Sequence, residues 1–197
     1  MTTYPLFASY VSTLTVHEDT SQLKYHNESW KGTGGDGTSL GSVNLRVLEK
    51  YPKIKKILLD KFLKIAKEEY EYVDDFAITT SWFTKTEKGE ASGLHLHKNS
   101  FYSGIYYFDE YSSQSAPIRF ESPIFTLTDF YVKPKNWQIK NRHNWRIYPE
   151  KNLLILFPSY LNHTIMKSED DAPRYSLAFN IIPIGVYGDG DSQHILT

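Results

Sequence analysis

Residues 95–107, His-Leu-His-Lys-Asn-Ser-Phe-Tyr-Ser-Gly-Ile-Tyr-Tyr, contain the pattern from which the fold and the site are best predicted. His95 and His97 are one residue apart, and side chains at this spacing on an extended segment point to the same face. Imidazole is a common ligand for Fe, Zn, Cu and Ni, so His163, far along the chain, could complete a three-ligand metal site. Because H-x-H is a frequent spacing and a lone histidine is more often structural, this hypothesis depends on the surrounding sequence.

Arg174 stands eleven residues after His163, at the start of Arg-Tyr-Ser-Leu-Ala-Phe-Asn. On a strand, Arg174 and Ser176 share a face, so a guanidinium and a hydroxyl could bind one carboxylate together. The Tyr107 phenol could add a further hydrogen bond. The alternative is a surface ion pair between Arg174 and one of the nearby acids, Glu169, Asp170 or Asp171.

The chain from residue 76 onward has a strand-like pattern. Candidate strands are 76–84, 93–97, 103–109, 118–121, 145–148, 153–157, 163–167 and 174–182, separated by Gly, Pro, Asn and Ser. Eight short strands predict a mainly β fold, a double-stranded β-helix of the jelly-roll, cupin-like kind. The mouth of such a fold can hold a small ligand. Five apolar residues could form a dry wall inside it, although core packing is the favoured interpretation and does not exclude that role: Ile105, Leu154, Leu156, Phe179 and Ile181.

The N-terminal part adds a few elements to this core. Residues 4–16 resemble one or two strands, and 17–42 form a polar loop in which Gly32, Gly34 and Gly37 match G-x-G-x-x-G. A polar segment precedes these glycines, so a plain loop is favoured over a dinucleotide site. From Pro52, apolar residues recur at helical spacing and predict a helix packed on the core. We expect one domain over 1–197, with N-terminal elements in 1–75, the core in 76–187 and a tail in 188–197.

Composition limits the possible partners. The 197 residues carry a net charge of −1 and no cysteine, which excludes disulfides and thiolate metal sites and makes a general nucleic-acid binder unexpected. There is no signal-like N-terminus and no apolar run long enough to span a membrane, so we expect a cytoplasmic protein without a membrane partner. The loop 129–144 is locally basic and aromatic; a solvated surface is the favoured interpretation, and an acidic substrate contact is the alternative.

The ordered motifs resemble those of Fe(II)/2-oxoglutarate-dependent oxygenases. The order is H-x-H, Ser-Gly-Ile-Tyr-Tyr, Leu-Leu-Ile-Leu-Phe-Pro-Ser, His and Arg-Tyr-Ser, over roughly residues 76–187. The sequence is most similar to 2-oxoglutarate/Fe(II) oxygenases of bacteria and marine phages, and beyond them to prolyl-hydroxylase-like enzymes. The resemblance implies that His95 and His163 are metal ligands and that Arg174 pairs with the distal carboxylate of 2-oxoglutarate. It places Tyr107 and Ser176 at cosubstrate hydrogen-bond positions.

One position departs from the family pattern. Most relatives have Asp or Glu where this chain has His97, giving two histidines and one carboxylate around Fe(II). We interpret His97 as the third ligand because of its spacing from His95. Asp109, Glu121 or a water could fill the place instead.

The implied activity is hydroxylation of a substrate C–H bond with O2, while 2-oxoglutarate is converted to succinate and CO2. The resemblance implies Fe(II) as cofactor, 2-oxoglutarate as cosubstrate, and an unidentified peptide or small molecule as substrate, with a prolyl or other peptidyl residue as the leading hypothesis. A phage-encoded protein would act in the host cytoplasm. Two alternatives stay open: a cupin-like zinc or nickel enzyme with no need for Arg174 or Ser176, and a catalytically silent jelly-roll binding module.

Overall fold

The structure, a computed structural model, describes residue 2, residues 8–124 and residues 132–196. These residues form eleven strands, one α-helix and three short 3-10 helices. The strands are β1 (Ser12–Thr15), β2 (Trp30–Gly32), β3 (Leu40–Ser42), β4 (Asp75–Thr86), β5 (Tyr102–Tyr106), β6 (Ile118–Glu121), β7 (Asn144–Ile147), β8 (Leu153–Pro158), β9 (His163–Ile165), β10 (Arg174–Tyr187) and β11 (His194–Leu196). The α-helix is α1 (Pro52–Glu68), and the 3-10 helices are Val47–Lys50, Ile139–Asn141 and Gly190–Ser192.

The strands form two antiparallel sheets. The large sheet has the order β1-β8-β5-β10-β4-β3-β2, with β11 paired to the end of β10, and the small sheet has the order β7-β6-β9. Side chains of both sheets, among them Ile105 and Phe157 of the large one and Ile118 and Phe120 of the small one, share one buried cluster. The two sheets therefore face each other, and the mainly β, jelly-roll prediction is confirmed.

Strand alternation divides the large sheet into two different faces. Tyr106, Leu156 and Phe179 point outward into a cluster with the apolar side of α1. Their neighbours along the same strands point to the small sheet. The helix itself starts with Pro at its first position and buries residues at helical spacing, namely Ile54, Leu58, Phe62, Ile65 and Ala66. The predicted amphipathic helix is thus confirmed.

A β-bulge changes the face of β4. The strand pairs with β10 in regular register as far as Thr80 opposite Asn180, but the next pair is Ile78 opposite Ile181, which leaves Thr79 as an extra residue. Such an insertion reverses the side-chain alternation. Phe76 and Ile78 consequently pack on the helix side. Beyond the bulge, Thr80, Trp82, Thr84 and Thr86 line the space between the sheets.

Position 104 needs a glycine because the ring of Phe179, on the neighbouring strand, lies directly over it. It stands opposite Phe179, whose ring covers it so closely that an added Cβ would lie 2.2 Å from Cζ of the ring. We expect Gly104→Ala to lower the free energy of unfolding by about 1–3 kcal/mol, because the buried ring has to shift. Chemical denaturation measures the effect. Gly32→Ala, at a glycine with open space around its Cβ position, is the control, and an equal loss there would contradict the explanation.

Three expectations need correction or extension. Residues 93–97 do not form a continuous strand; the structure has a single bridge, between His95 and His163. The loop predicted over 17–42 contains β2 and β3, which extend the edge of the large sheet. β1, from the N-terminal part, pairs with β8, and β11, from the tail, pairs with β10. The single domain over 1–197, with its division at residues 75 and 187, stays a prediction. No helix among the described residues is both long and apolar enough to cross a membrane.

Candidate functional site

A cavity of about 760 Å³ opens between the two sheets. One wall is the inner face of β4 and β10, where the bulge and the strand alternation place small and polar side chains such as Ser176 and Asn180. The opposite wall includes His163 of β9, and residues 92–98 close one side. The glycine-rich loop between β2 and β3 contributes Gly34, Gly35 and Asp36. Residues distant in sequence thus converge on one space of the size typical of ligand sites.

The three predicted histidines lie together on this cavity. One ring nitrogen of each of His95, His97 and His163 lies within 4.8 Å of the other two. Their ring centroids are 4.4 Å apart for His95 and His163, 5.2 Å for His97 and His163, and 5.3 Å for His95 and His97. His163 is buried, His97 is half-buried and His95 is exposed, so the cluster connects the interior with the cavity mouth.

Backbone hydrogen bonds give the H-x-H segment its geometry without a continuous strand. The amide of His95 donates to the carbonyl of His163 at 3.0 Å, and the amide of His163 donates back at 2.8 Å. Two residues on, the amide of His97 donates to the carbonyl of Ser159 at 3.0 Å. Alternate residues therefore bond to the same neighbouring segment, which is the local pattern of a strand edge. The same-face argument holds although the strand prediction was wrong.

Each imidazole is oriented by an oxygen acceptor on its Nδ1. His95 Nδ1 lies 2.8 Å from the Gly93 carbonyl oxygen, His163 Nδ1 lies 2.9 Å from that of Leu161, and His97 Nδ1 lies 2.8 Å from Asn180 Oδ1. Since these oxygens only accept hydrogen bonds, each Nδ1 carries a proton, and in a neutral ring the lone pair is then on Nε2. Metal-binding histidines are oriented in this way in general.

Burial keeps two of the rings neutral. Desolvation, reinforced by the nearby His95 ring, lowers the pKa of His97 to about 4, although the hydrogen bond to Asn180 opposes the shift. Desolvation and the His95 ring also lower the pKa of His163, to about 3, although the hydrogen bond from its Nδ1 to the Leu161 carbonyl opposes the shift. At neutral pH both rings are therefore unprotonated, the form that binds a metal ion.

Asn180 is a site residue that the sequence analysis missed. Its Oδ1 accepts from His97 and, at 2.9 Å, from the Ser103 hydroxyl, while its Nδ2 donates to Thr80 Oγ1 at 3.0 Å. The Trp82 indole adds a second contact, stacked on the His97 ring at 5.5 Å. The sequence signal for this role was a polar amide within the apolar run Leu-Ala-Phe-Asn-Ile-Ile, because a buried amide needs hydrogen-bond partners.

Arg174 is buried, with only 1% of its surface exposed. Its Nη2 donates to the Tyr107 hydroxyl at 2.6 Å and its Nη1 to Ser176 Oγ at 3.4 Å, while its Nε has no hydrogen-bond partner. Arg174 lies one layer behind the cavity wall that Ser176 and Thr86 form, and the Thr86 hydroxyl is also buried without a partner. Burial raises the pKa of Tyr107 although Arg174 opposes this, so its phenol keeps a proton to donate.

The alternative explanations for these residues fail on their contacts. Asp170 accepts from Ser112 and Ser115, and Asp171 pairs with Lys88, so neither neutralises Arg174. Over residues 8–124 and 132–196, no carboxylate lies within ion-pair distance of the guanidinium. The two acids considered as substitutes for His97 are also placed elsewhere: Asp109 accepts from Tyr25, and Glu121 pairs with Arg119.

The favoured core-packing interpretation holds for four of the five apolar residues that were considered for the cavity wall. Ile105 lines the cavity, but Leu154, Leu156, Phe179 and Ile181 lie on the other face of the large sheet and pack in the helix-side core. Strand alternation is the reason, because these four positions have the parity opposite to that of Ile105, Ser176 and Asn180. The water-excluding surface is therefore provided by Ile105, Phe157 and Ala178 together with Trp82.

The donor set fits a divalent transition metal. Three imidazoles, each with its Nδ1 bonded to an oxygen, match Fe, Ni, Cu or Zn through Nε2, and they leave further positions for other ligands. Nitrogens bound to one ion at about 2.1 Å are roughly 3–4 Å apart, so binding would draw the rings inward by about 1 Å. The buried guanidinium, which has no anionic partner in the described part of the chain, fits the carboxylate of a bound ligand.

Comparison with known proteins agrees with this site. A model of the family described as "Putative 2OG-Fe(II) oxygenase" matches residues 80–180, just over half of the chain. The match spans His95, His97, His163, Arg174 and Asn180. Among curated proteins, none matches the sequence significantly.

Solved structures share the fold at low sequence identity. The α-ketoglutarate-dependent carbocyclase SnoK from nogalamycin biosynthesis has a TM-score of 0.61 and 8% identity, over 93% of this chain and 84% of that one. HygX from Streptomyces hygroscopicus, with nickel, 2-oxoglutarate and hygromycin B bound, has a TM-score of 0.58 and 12% identity, over 89% and 83%. A Trichoplax adhaerens prolyl hydroxylase bound to a hypoxia inducible factor peptide fragment has a TM-score of 0.52 and 12% identity, over 78% and 70%.

Proposed function

The chain belongs to the 2-oxoglutarate/Fe(II) oxygenase family, and from this premise we propose that three histidines hold Fe(II) and that the residues around the buried guanidinium bind 2-oxoglutarate. The metal ligands in this proposal are His95, His97 and His163. The cosubstrate residues are Arg174, Ser176 and Tyr107. The supporting observation is a buried cation that has no carboxylate partner within residues 8–124 and 132–196, next to the cavity that the three imidazoles share.

Fe(II) with 2-oxoglutarate supplies the oxidation of a substrate C–H bond by O2, with succinate and CO2 as co-products. The chain's own residues bind and orient the reactants. Arg174 would pair with the distal carboxylate of 2-oxoglutarate, and the Tyr107 and Ser176 hydroxyls would complete its hydrogen bonds. Ile105, Phe157 and Trp82 would keep water from the reacting centre. The family also supports hydroxylation as the reaction and a peptidyl residue, such as proline, as the substrate group.

An anaerobic titration tests the proposal. Fe(II) and 2-oxoglutarate are added to metal-free protein, and the visible charge-transfer band of the iron chelate is followed. We expect the band to saturate at one equivalent of each. A zinc or nickel enzyme of another class, or a silent binding module, would give no band. Adding O2 to the loaded protein and measuring succinate then tests the oxygenase reaction separately.

Asn180 gives a prediction about the metal site. Asn180→Ala should weaken Fe(II) binding by about 10–100-fold, because His97 loses the acceptor that fixes its tautomer. Asn180→Asp keeps an acceptor and should restore most of the affinity. Fe(II) titration of both variants, with thermal unfolding as a check on folding, measures this. Equal binding by Asn180→Ala and the parent chain would show that His97 needs no such support.

A further inference from the structure

One edge of the molecule carries an unusual concentration of positive charge. Residues 132–148, here called the basic strip, contain five cations, Lys133, Lys135, Lys140, Arg142 and Arg146, and no acid. Because the whole chain has a net charge of −1, the strip's charge of +5 is balanced by −6 on the rest. All five side chains belong to exposed residues. The strip is therefore a local concentration of positive charge in a chain whose total charge is close to zero.

Several surface lysines elsewhere have an acidic partner, whereas the strip's cations have none among the described residues, a property that they share with Lys53 and Lys67 of α1. On α1, Lys55 pairs with Glu49, Lys56 with Asp60 and Lys61 with Glu18, at 2.6–2.7 Å. For the strip, no carboxylate of the described residues lies within ion-pair distance of any of the five cations. Like charges on adjacent residues repel each other unless an anion neutralises them. The strip is thus complementary to an anionic partner.

Exposed aromatic rings accompany these charges. Trp137, Trp145 and Tyr148 are 45%, 44% and 51% exposed. The guanidinium of Arg142 stacks over the Trp145 ring at 4.9 Å, which holds it in place with its N–H groups available to an anion. Trp, Tyr and Arg are the residue types that contribute most to the energy of protein–protein interfaces.

The strip reaches the face of the small sheet that carries a metal ligand. Trp145 of β7 stands opposite Phe120 of β6, and Phe120 stands opposite His163 of β9. Directly opposed residues of antiparallel strands project to the same face, and three adjacent strands span about 10 Å. The rings of Phe120 and His163 are 5.9 Å apart. The Cα atoms of Trp145 and His163 are therefore only about 10 Å apart, with the buried Phe120 between them.

We propose that the basic strip binds an acidic, extended peptide segment next to the residue that the enzyme oxidises. This inference rests on the proposed function, since it treats the peptide as the substrate. Carboxylates of the segment pair with Lys140 and Arg142, and an apolar or aromatic side chain packs on Trp145. A nucleic-acid strand fits less well, because Arg142 already covers a Trp145 face on which a base would stack and the remaining surface is negative.

Peptide binding in the absence of metal and 2-oxoglutarate tests the inference. The probe is a fluorescein-labelled peptide of about ten residues that alternates Glu and Ala around one proline, long enough to extend from His163 beyond Trp145. We expect saturable fluorescence anisotropy that weakens with salt, and at least about tenfold weaker binding when Gln replaces every Glu. A single-stranded oligothymidylate serves as the nucleic-acid competitor. The proposal would be overturned if the Glu and Gln peptides bound equally well. It would also be overturned if the oligonucleotide displaced the labelled Glu peptide at lower concentrations than unlabelled Glu peptide does.

Charge reversal locates the binding surface. The double variant Lys140→Glu/Arg142→Glu should lose about tenfold or more in affinity for the Glu peptide. The matched control Lys53→Glu/Lys67→Glu makes the same change in net charge at exposed positions on α1 and should stay within about twofold of the parent chain. Equal losses in both variants would show a nonspecific charge effect and refute the assignment. This binding assay uses no iron, so its result is independent of the separate succinate assay on the iron-loaded protein. Peptide binding here together with no succinate there would contradict the oxygenase function and leave the binding surface in place.

Discussion

Replacing Arg174 by alanine is expected to weaken 2-oxoglutarate binding by about two to three orders of magnitude while Fe(II) binding changes little. The guanidinium is buried and has no acidic partner among the described residues, so a bound carboxylate would be its counter-ion. Truncating one member of a buried, hydrogen-bonded charge pair costs about 2–5 kcal/mol. Anaerobic titration with 2-oxoglutarate at saturating Fe(II), read through the charge-transfer band, gives the affinity.

The Arg174 experiment has two controls. Arg174→Lys keeps the charge but not the bidentate geometry, so its affinity for 2-oxoglutarate should lie between those of the parent chain and Arg174→Ala. Arg46→Ala removes an exposed arginine directly before the 3-10 helix Val47–Lys50 and should leave the affinity for 2-oxoglutarate unchanged. If Arg174→Ala lost metal and 2-oxoglutarate binding to the same degree, a general folding defect would be the explanation. Thermal unfolding of the metal-free protein would then show a matching decrease in Tm.

The second large effect is expected at His163. His163→Ala should reduce Fe(II) affinity by about a thousandfold or more, beyond the 10–100-fold typical of residues that only orient a ligand. His163 is the most buried of the three histidines and contacts both of the others, so its loss removes a ligand and opens the centre of the cluster. Fe(II) titration under anaerobic conditions measures the change. Affinity within tenfold of the parent chain would exclude His163 as a ligand.

His97 separates the three-histidine site from the usual family site. His97→Asp should preserve or raise Fe(II) affinity, since it restores the carboxylate that most relatives have. His97→Ala should lower it. Together with His163→Ala, these variants show whether the metal is held by three imidazoles. An unchanged affinity in His97→Ala would remove His97 from the metal site.

Much of this arrangement was predictable because it depends on local patterns. The helix from Pro52 and the strand Ile118–Glu121 follow from apolar spacing, and the structure has them where the pattern indicates. The clustering of His95, His97 and His163 followed from the ordered motifs, which fix the topology more strongly than composition does. The predicted position of Arg174 in the interior also agrees with its burial.

The remaining features depend on contacts between distant segments. No local pattern shows that Asn180 accepts from His97, because the two residues are 83 positions apart. For Leu154 and Phe179 the sequence left both core packing and the cavity wall open, because both faces of the large sheet are buried and hydrophobicity alone does not distinguish the helix side from the cavity side. The short strands β2 and β3 were missed because a polar, glycine-rich sequence gives little strand signal.

The extra residue Thr79 has a consequence for how this chain can vary. Ile78 and Thr80 pair with Ile181 and Asn180, which are adjacent on β10, so loss of Thr79 would join Ile78 directly to Thr80 and leave both on their present faces. This position can therefore lose a codon without turning Phe76 and Ile78 toward the cavity. A one-residue insertion or deletion in the regular part of β4 would instead turn the side chains on one side of the change to the opposite face.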